Sequence, residues 1–298
     1  MILNFRYIFI FLLHLTIIKS DPILYLDEIF EDVVIDNDIV YANAPDLPFW
    51  FWIESNTVDI DLEMDMYYAN ENLDESRPVI IFLHSGSFFT GSNSLDDIVE
   101  LSYSAAKRGY VAFAVNYRLG INIVSSYSGE RAVYRGMQDL SASIRFIREF
   151  SDEFRIDPDR IFIWGSSAGS MIGLHLAFSD EDERPASTYG EFGDPDLGCI
   201  DCEGNDFPNS SIPNGLVSCW GAIGDLNWIG NNNNVPTILF HGTSDLIVPF
   251  ESGFPFTANI TLPVVYGSAL ISERLEQVNI RNEFYPENDE GHEYWGTL

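Results

Sequence analysis

The stretch that decides the fold is Arg160-Ile-Phe-Ile-Trp-Gly-Ser-Ser-Ala-Gly-Ser170. Ile161 to Trp164 is a short apolar run rich in branched residues, as in a buried strand. Gly165-Ser166-Ser167-Ala168-Gly169 then fits G-x-S-x-G with Ser167 at its centre. Met171, Ile172, Leu174, His175 and Leu176 continue as a helix. Strand, tight turn of small residues and helix is the context that holds a serine in a strained position as a nucleophile. Centring the pattern on Ser166 would put Trp164 where a small residue is needed, so Ser167 is the candidate. G-x-S-x-G alone is a weak signal, and the rest of the chain must supply the partners.

Working outward, Pro78 to His84 and Gly109 to Tyr117 are continuous apolar runs, expected as strands buried on both faces. Ser94 to Arg108 between them carries a helical pattern. A longer helix is expected over Arg131 to Phe154, with apolar residues at three- and four-residue steps from Val133 to Phe150. Asp157-Pro-Asp159 reads as a turn leading into the decisive strand. Downstream, Gly215 to Trp220, Thr237 to His241 and Glu283 to Tyr285 read as strands, and Leu270 to Gln277 as a helix. Nearer the start, Asp32–Tyr41 and Val58–Tyr68 alternate apolar with acidic residues, as antiparallel, half-exposed strands do. The Phe49-Trp-Phe-Trp52 cluster between them is expected to pack as an edge of the domain. The implied fold class is α/β: a mainly parallel central sheet with helices on both faces and antiparallel N-terminal strands. Residues 179–215 break the pattern; rich in Asp, Glu, Pro, Gly and Asn, they are expected as a surface excursion or small cap.

Residues 1–20 stand apart. Arg6 precedes an apolar run from Tyr7 to Ile18, which reads as a secretory signal peptide, with an uncleaved anchor as the alternative; Ile18 leaves the cleavage site open. Residues 21–298 then form one domain, expected to be secreted, periplasmic or on the cell surface. Formal net charge is −31, from 46 acidic and 15 basic residues, which argues against nucleic acid or an anionic membrane as partner. Export permits a disulfide among Cys199, Cys202 and Cys219; either of the first two could reach Cys219, leaving one thiol over. No second pair or neighbouring histidine completes a zinc site around the C-x-x-C. Asn209-Ser-Ser and Asn259-Ile-Thr fit the glycosylation pattern.

A serine needs a base, and the base an orienting acid. Asp245, in His241-Gly-Thr-Ser-Asp245, follows a buried strand, and His292 lies past the next one. Loops at the carboxyl edge of a parallel sheet converge on one crevice, which brings Ser167, Asp245 and His292 within reach of one another. Asp225 is the fallback acid. An oxyanion hole is expected from the backbone N–H groups of Gly86, Ser87 and Ala168. Phe88, Phe89 and Trp164 are near enough in sequence to line an acyl pocket or simply to pack the core.

At this point the chain resembles the α/β-hydrolase esterases, from about Val58 to His292. His84-Ser-Gly-Ser stands where the carboxylesterase and hormone-sensitive-lipase branches have His-Gly-Gly-Gly. Asn116-Tyr-Arg-Leu119, Ile156-Asp-Pro-Asp-Arg-Ile161, Gly165-Ser-Ser-Ala-Gly169 and His241-Gly-Thr-Ser-Asp245 with Val248-Pro249 are similar to other family motifs. The likeness is nearest to compact secreted bacterial esterases, including those grouped with feruloyl and acetyl-xylan esterases. It implies a serine carboxylic-ester hydrolase that needs no cofactor and acts on a small-molecule or polysaccharide-linked ester. Ser85 and Ser87 depart from glycine, and the side chain at Ser87 narrows the hole. The chain ends six residues after His292, which leaves open a further C-terminal segment. A prolyl-oligopeptidase-type peptidase would need a large extra domain, for which there is no room. A non-catalytic esterase-like adhesion module commonly lacks a member of the triad, and here all three residue types are present.

Overall fold

The computed structural model describes residues 22–47, 54–122, 125–190, 194–230, 233–256 and 262–294. The apolar leader, the Phe49–Trp52 cluster and the Asn259 glycosylation pattern lie outside them.

An eight-stranded sheet carries the molecule. Its strands are β1 (Val33–Asp46), β2 (Val58–Ala69), β3 (Arg77–Leu83), β4 (Val111–Val115), β5 (Ile156–Ser166), β6 (Gly215–Cys219), β8 (Thr237–Gly242) and β11 (Asn282–Glu287). The order is β1-β2-β4-β3-β5-β6-β8-β11. β1, β2 and β4 pair antiparallel, and every pairing from β4 through β3 to β11 is parallel. The acidic–apolar alternation marks a half-exposed edge only in β1. β2, paired on both sides by β1 and β4, departs from that expectation and is buried at Leu62, Met64, Asp65, Met66, Tyr67 and Ala69, while the continuous apolar runs mark the buried centre. A second, three-stranded sheet joins β7 (Ala222–Ile223), β10 (Val265–Gly267) and β9 (Ser252–Gly253).

Side chains alternate across the sheet, so each strand feeds two cores. Val79, Ile81 and Leu83 of β3 and Ile161 and Ile163 of β5 face α2 (Ser126–Glu149) and α4 (Ala168–Phe178). Phe82, Ala112 and Ala114 face α1 (Asp96–Lys107) through Ile98, Ala105 and Ala106. Toward the C-terminus, α5 (Ser268–Gln277) buries Ile271 and Leu275 in the α2–α4 core. Among the described residues no helix is long and apolar enough to cross a membrane.

Three further expectations need correction. The long helix begins before Arg131 and leaves helical geometry at Phe150 (φ −98°, ψ 25°); α3 (Ser151–Phe154) is a separate turn, stopped by left-handed Arg155. Asp157-Pro-Asp159 is no free turn but an irregularity within β5, where Arg77 pairs with Ile156 and Val79 already with Ile161. Asp157 bonds the Asp159 amide across it. The disulfide joins Cys199 to Cys202, with the Cα atoms 5.1 Å apart; Cys219 stays a buried free thiol at the end of β6.

The excursion after α4 contains two short 3-10 turns, Glu181–Glu183 and Ala186–Tyr189. It is tied down by α2. Arg131 donates to the carbonyls of Ser187 and Pro195, and Gln138 to those of Leu197 and Cys199. Arg145 donates to those of Glu203 and Asn205, and Arg148 to those of Ser210 and Ile212. A helix presents residues three and four apart on one face, so this ladder runs straight along the excursion.

Candidate active site

β5 delivers its last residue, Ser166, to the carboxyl edge, and α4 starts at Ala168. Between them Ser167 sits at φ 50°, ψ −111°, which a residue with a Cβ adopts only under constraint. The constraint is backbone packing. A Cβ on Gly169 would lie 2.4 Å from the carbonyl oxygen of Leu83, so only glycine lets α4 close on β3. The Ser167 amide donates to the Cys219 carbonyl at 3.0 Å. Ser166 points elsewhere: its Oγ accepts from Trp220 Nε1 at 3.0 Å.

His292 Nε2 lies 2.9 Å from Ser167 Oγ, and its Nδ1 lies 2.6 Å from Asp245 Oδ2. The β8–β11 pairing places these two loops side by side, and the Thr243 and Ser244 amides donate to Glu287 and Glu290 across the gap. Asp245 Oδ1 accepts from the amides of Ile247 and Val248. Its Oδ2 is shared with a second, fully buried imidazole, His241, whose Nε2 is 3.1 Å away. With that nitrogen donating, His241 Nδ1 accepts from the Ser268 hydroxyl at 2.8 Å. Burial alone would raise the Asp245 carboxyl. The hydrogen bonds from His241 and His292, the His292 charge and the Ile247 amide together hold it well below the usual carboxylate range. The fallback acid, Asp225, instead caps a 3-10 turn by accepting from the Asn227 amide. Sequence reasoning missed the part played by His241 and Ser268. The one available signal was the position of His241 four residues before Asp245 at the end of a buried strand.

The loop after β3 curls back beside this chain of bonds. Gly86 has φ +120°, and a Cβ there would fall 1.9 Å from the Thr90 carbonyl oxygen. Ser87 and Phe88 follow with φ 55° and 61°. His84 anchors the loop by stacking on Tyr117 at 4.2 Å, and the Tyr117 hydroxyl donates to the His84 carbonyl. Ala168 is the first residue of α4, so its N–H has no partner within the helix. Gly86, Ser87 and Ala168 thus flank the Ser167 turn on the same edge of the sheet.

A cavity of about 300 Å³ opens from Ser87, Phe88, Ser167 and Ala168. Of the three aromatic residues considered for its wall, Phe88 lines it and the other two do not. Trp164 lies on the opposite face of β5, packed on Phe82 at 6.2 Å, because strand alternation sends it toward α1. Phe89 packs against the main core, one residue past the left-handed pair. Among the described residues no group of three or more His, Cys, Asp or Glu side chains is arranged to hold a metal ion.

A family model described as BD-FAE matches residues 64–201. A thermophilic esterase of Thermogutta terrifontis, solved with propionate bound, aligns with a TM-score of 0.55 at 22% identity, covering 80% of this chain and 82% of its own. The para-nitrobenzyl esterase of Bacillus subtilis is 30% identical over 107 residues, which are 35% of this chain and 22% of that protein. Carboxylesterase 3B of Mus musculus is 34% identical over 120 residues, 40% and 20% of the two chains. Neuroligin-like protein glit-1 of Caenorhabditis elegans is 31% identical over 144 residues, 47% and 19% of the two. The chain therefore spans about a fifth of the length of these curated relatives. In strand order, in the turn at Ser167 and in these likenesses, the chain is a protein of the α/β-hydrolase fold whose sequence and structural relatives include esterases.

Proposed function

We propose that the protein is a serine carboxylic-ester hydrolase working through an acyl-enzyme. The observation that carries this is the bonded chain Ser167 Oγ–His292–Asp245 at a strained turn. His292 Nε2 takes the Ser167 proton as Oγ attacks the ester carbonyl. Asp245, held ionised, accepts from Nδ1–H, fixes the tautomer and stabilises the imidazolium that forms. The N–H groups of Ala168, Ser87 and Gly86 receive the oxyanion; one such donor is worth about 3 kcal/mol of transition-state stabilisation. His292 then returns its proton to the leaving alcohol, and water, activated by the same imidazole, hydrolyses the acyl-enzyme. Export through residues 1–20 belongs to the same reading, and the Cys199–Cys202 disulfide suits an oxidising compartment.

Ser167→Ala should lower kcat on p-nitrophenyl acetate by roughly 10⁴-fold or more. A fluorophosphonate probe should label the wild type at Ser167 and leave the variant unlabelled. Full activity in Ser167→Ala would sink the assignment. A wild type that takes no label and turns over no ester would instead make the chain a binding module of the adhesion type. Acetylated xylan and methyl ferulate, assayed beside simple esters, decide whether the alcohol is carried on a polysaccharide.

A further inference from the structure

The turn at residues 165–169 carries two serines, and the chemistry above uses only Ser167. Ser166 is buried, and its hydroxyl accepts from the indole N–H of Trp220 at 3.0 Å. Trp220 stands just past β6, whose last residue, Cys219, takes the Ser167 amide on its carbonyl. One short segment therefore touches the nucleophile turn twice, by main chain and by side chain.

Trp220 is held in an uncommon shape. Its φ is 43°, in the left-handed region that a bulky aromatic residue enters only when its surroundings over-determine it. Two bonds and one contact do so here. The Trp220 amide donates to the Phe240 carbonyl at 2.7 Å, and the indole N–H donates to Ser166. The next residue, Gly221, packs so close to Ser170 that a Cβ would fall 2.0 Å from its Oγ. The constrained backbone sets the indole against His292. The two ring centroids are 6.2 Å apart with planes at 64°, an edge contact, and Tyr294 meets the same indole at 5.5 Å and 70°.

His292 needs such a neighbour at one stage of the cycle. In the free enzyme its ring is tethered at both nitrogens, Nδ1 to Asp245 and Nε2 to the Ser167 hydroxyl. Once Oγ carries an acyl group it has no proton to donate, and the tether at Nε2 is gone. The hydrogen bond at Nδ1 fixes one point of the imidazole and lets the ring swing about that point. Deacylation nevertheless requires the ring to be aimed. Nε2 must take a proton from water as the water oxygen attacks the acyl carbonyl, then return it to Oγ as the Ser167–acyl bond breaks.

We propose that Trp220 is a positioning residue for His292, itself oriented by Ser166, and that it acts chiefly on hydrolysis of the acyl-enzyme. This rests on the esterase reading above and deepens it. At saturating p-nitrophenyl acetate, the ratio of acetylated to free Ser167, read by intact mass after acid quench, reports the acylation rate over the deacylation rate. An edge contact between aromatic rings favours one orientation by up to about tenfold, so Trp220→Leu should raise that ratio by about tenfold. Fluorophosphonate labelling needs attack by Oγ but no deacylation, and its rate should stay within about threefold of wild type. Ser166→Ala and Trp220→Phe each remove one end of the indole bond. Each should raise the ratio roughly threefold, and the two together no more than either alone. This milder pair carries the test if Trp220→Leu does not fold. Labelling and deacylation slowed by the same factor would reduce Trp220 to general packing and overturn the proposal. An unchanged ratio, or effects of Ser166→Ala and Trp220→Phe that multiply, would overturn it too. No ester turnover and no labelling in the wild type would remove the esterase reading itself, and the role of Trp220 with it.

Discussion

Around Ser167, backbone is held by backbone. Gly169 is pressed on Leu83, the Ser167 amide reaches Cys219, and the Met171 amide reaches the Ser167 carbonyl. Through residues 179–214 the reverse holds. Carbonyls that no strand or long helix satisfies are met one at a time by Arg131, Gln138, Arg145 and Arg148 of α2. A buried carbonyl needs a donor, and a guanidinium offers several in a fixed fork. The difference is one of tolerance. The turn admits no added atom, because its contacts have no side-chain freedom to absorb one. The excursion can lose a tie and keep the others, because each arginine serves its own short segment.

Gly169→Val tests the rigid side and should be the most damaging change. Its side chain would start 2.4 Å from a backbone oxygen of β3, which cannot swing aside. Loss of more than about 4 kcal/mol is expected, the range reserved for core strain. The readout is soluble yield, together with absence of a cooperative unfolding transition. A well-folded Gly169→Val protein would show that α4 can slide on the sheet, and the comparison would collapse.

Arg145→Met tests the other side. The side chain is buried and feeds the carbonyls of Glu203 and Asn205, and removing it strands both. Each stranded group costs roughly 1–3 kcal/mol, so a loss of about 3 kcal/mol is expected in urea titration. Activity of the folded fraction on p-nitrophenyl acetate should stay within a few-fold of wild type. A collapse of activity in protein that remains folded would mean the excursion and the Ser167 turn are one unit.

The same contrast explains what the sequence makes legible. Strands of the sheet announce themselves because Pro78 to Leu83 or Thr237 to His241 must be apolar on both faces, and the turn because only small residues fit it. Ser167, Asp245 and His292 can be paired on paper because parallel strands deliver their loops to one edge. The ladder on α2 is hidden, since an arginine that donates to distant carbonyls looks like any solvated arginine. β7, β9 and β10 are too short, at two or three residues, to show a period. Trp164 was within one strand of the site and still faced away, since nearness in sequence says nothing about which face a strand residue takes.

His175 joins the two regions, one turn beyond Met171 on α4 and in the wall of the cavity. Burial pushes its imidazole down to about 4, against the weaker pull of its hydrogen bond to the Met171 carbonyl. The unfolded chain takes up this proton near its ordinary value of about 6.5, while the folded protein resists it until about 4. Between those values the unfolded state binds more protons, so stability should fall as pH drops, by about 1.4 kcal/mol per unit. Asp245 acts lower down. Its depressed carboxyl contributes stability that is present above the ordinary carboxylate range and is lost only as pH falls well beneath it. His175→Gln should flatten the first stage of the stability–pH curve and leave the second. An unchanged first stage would show that the protonated ring finds room in the cavity.

The smallest effect should come from the disulfide. Cys199 and Cys202 close a loop with a sequence separation of only three, so the bridge removes little freedom from the unfolded chain. The loop-entropy relation gives about 2 kcal/mol for a ring this short, below the effect expected for Arg145→Met. The bridge also lies where Gln138 already holds the Cys199 carbonyl at 3.1 Å, so much of the local order survives without it. Cys202→Ser, or mild reduction of the wild type, should lower the unfolding midpoint by a few degrees and leave kcat/KM on acetate and octanoate esters unchanged. The ranking decides the point. If the disulfide proves worth more than Arg145, the excursion is held by its own covalent turn, and the arginines of α2 are followers of that turn instead of its cause.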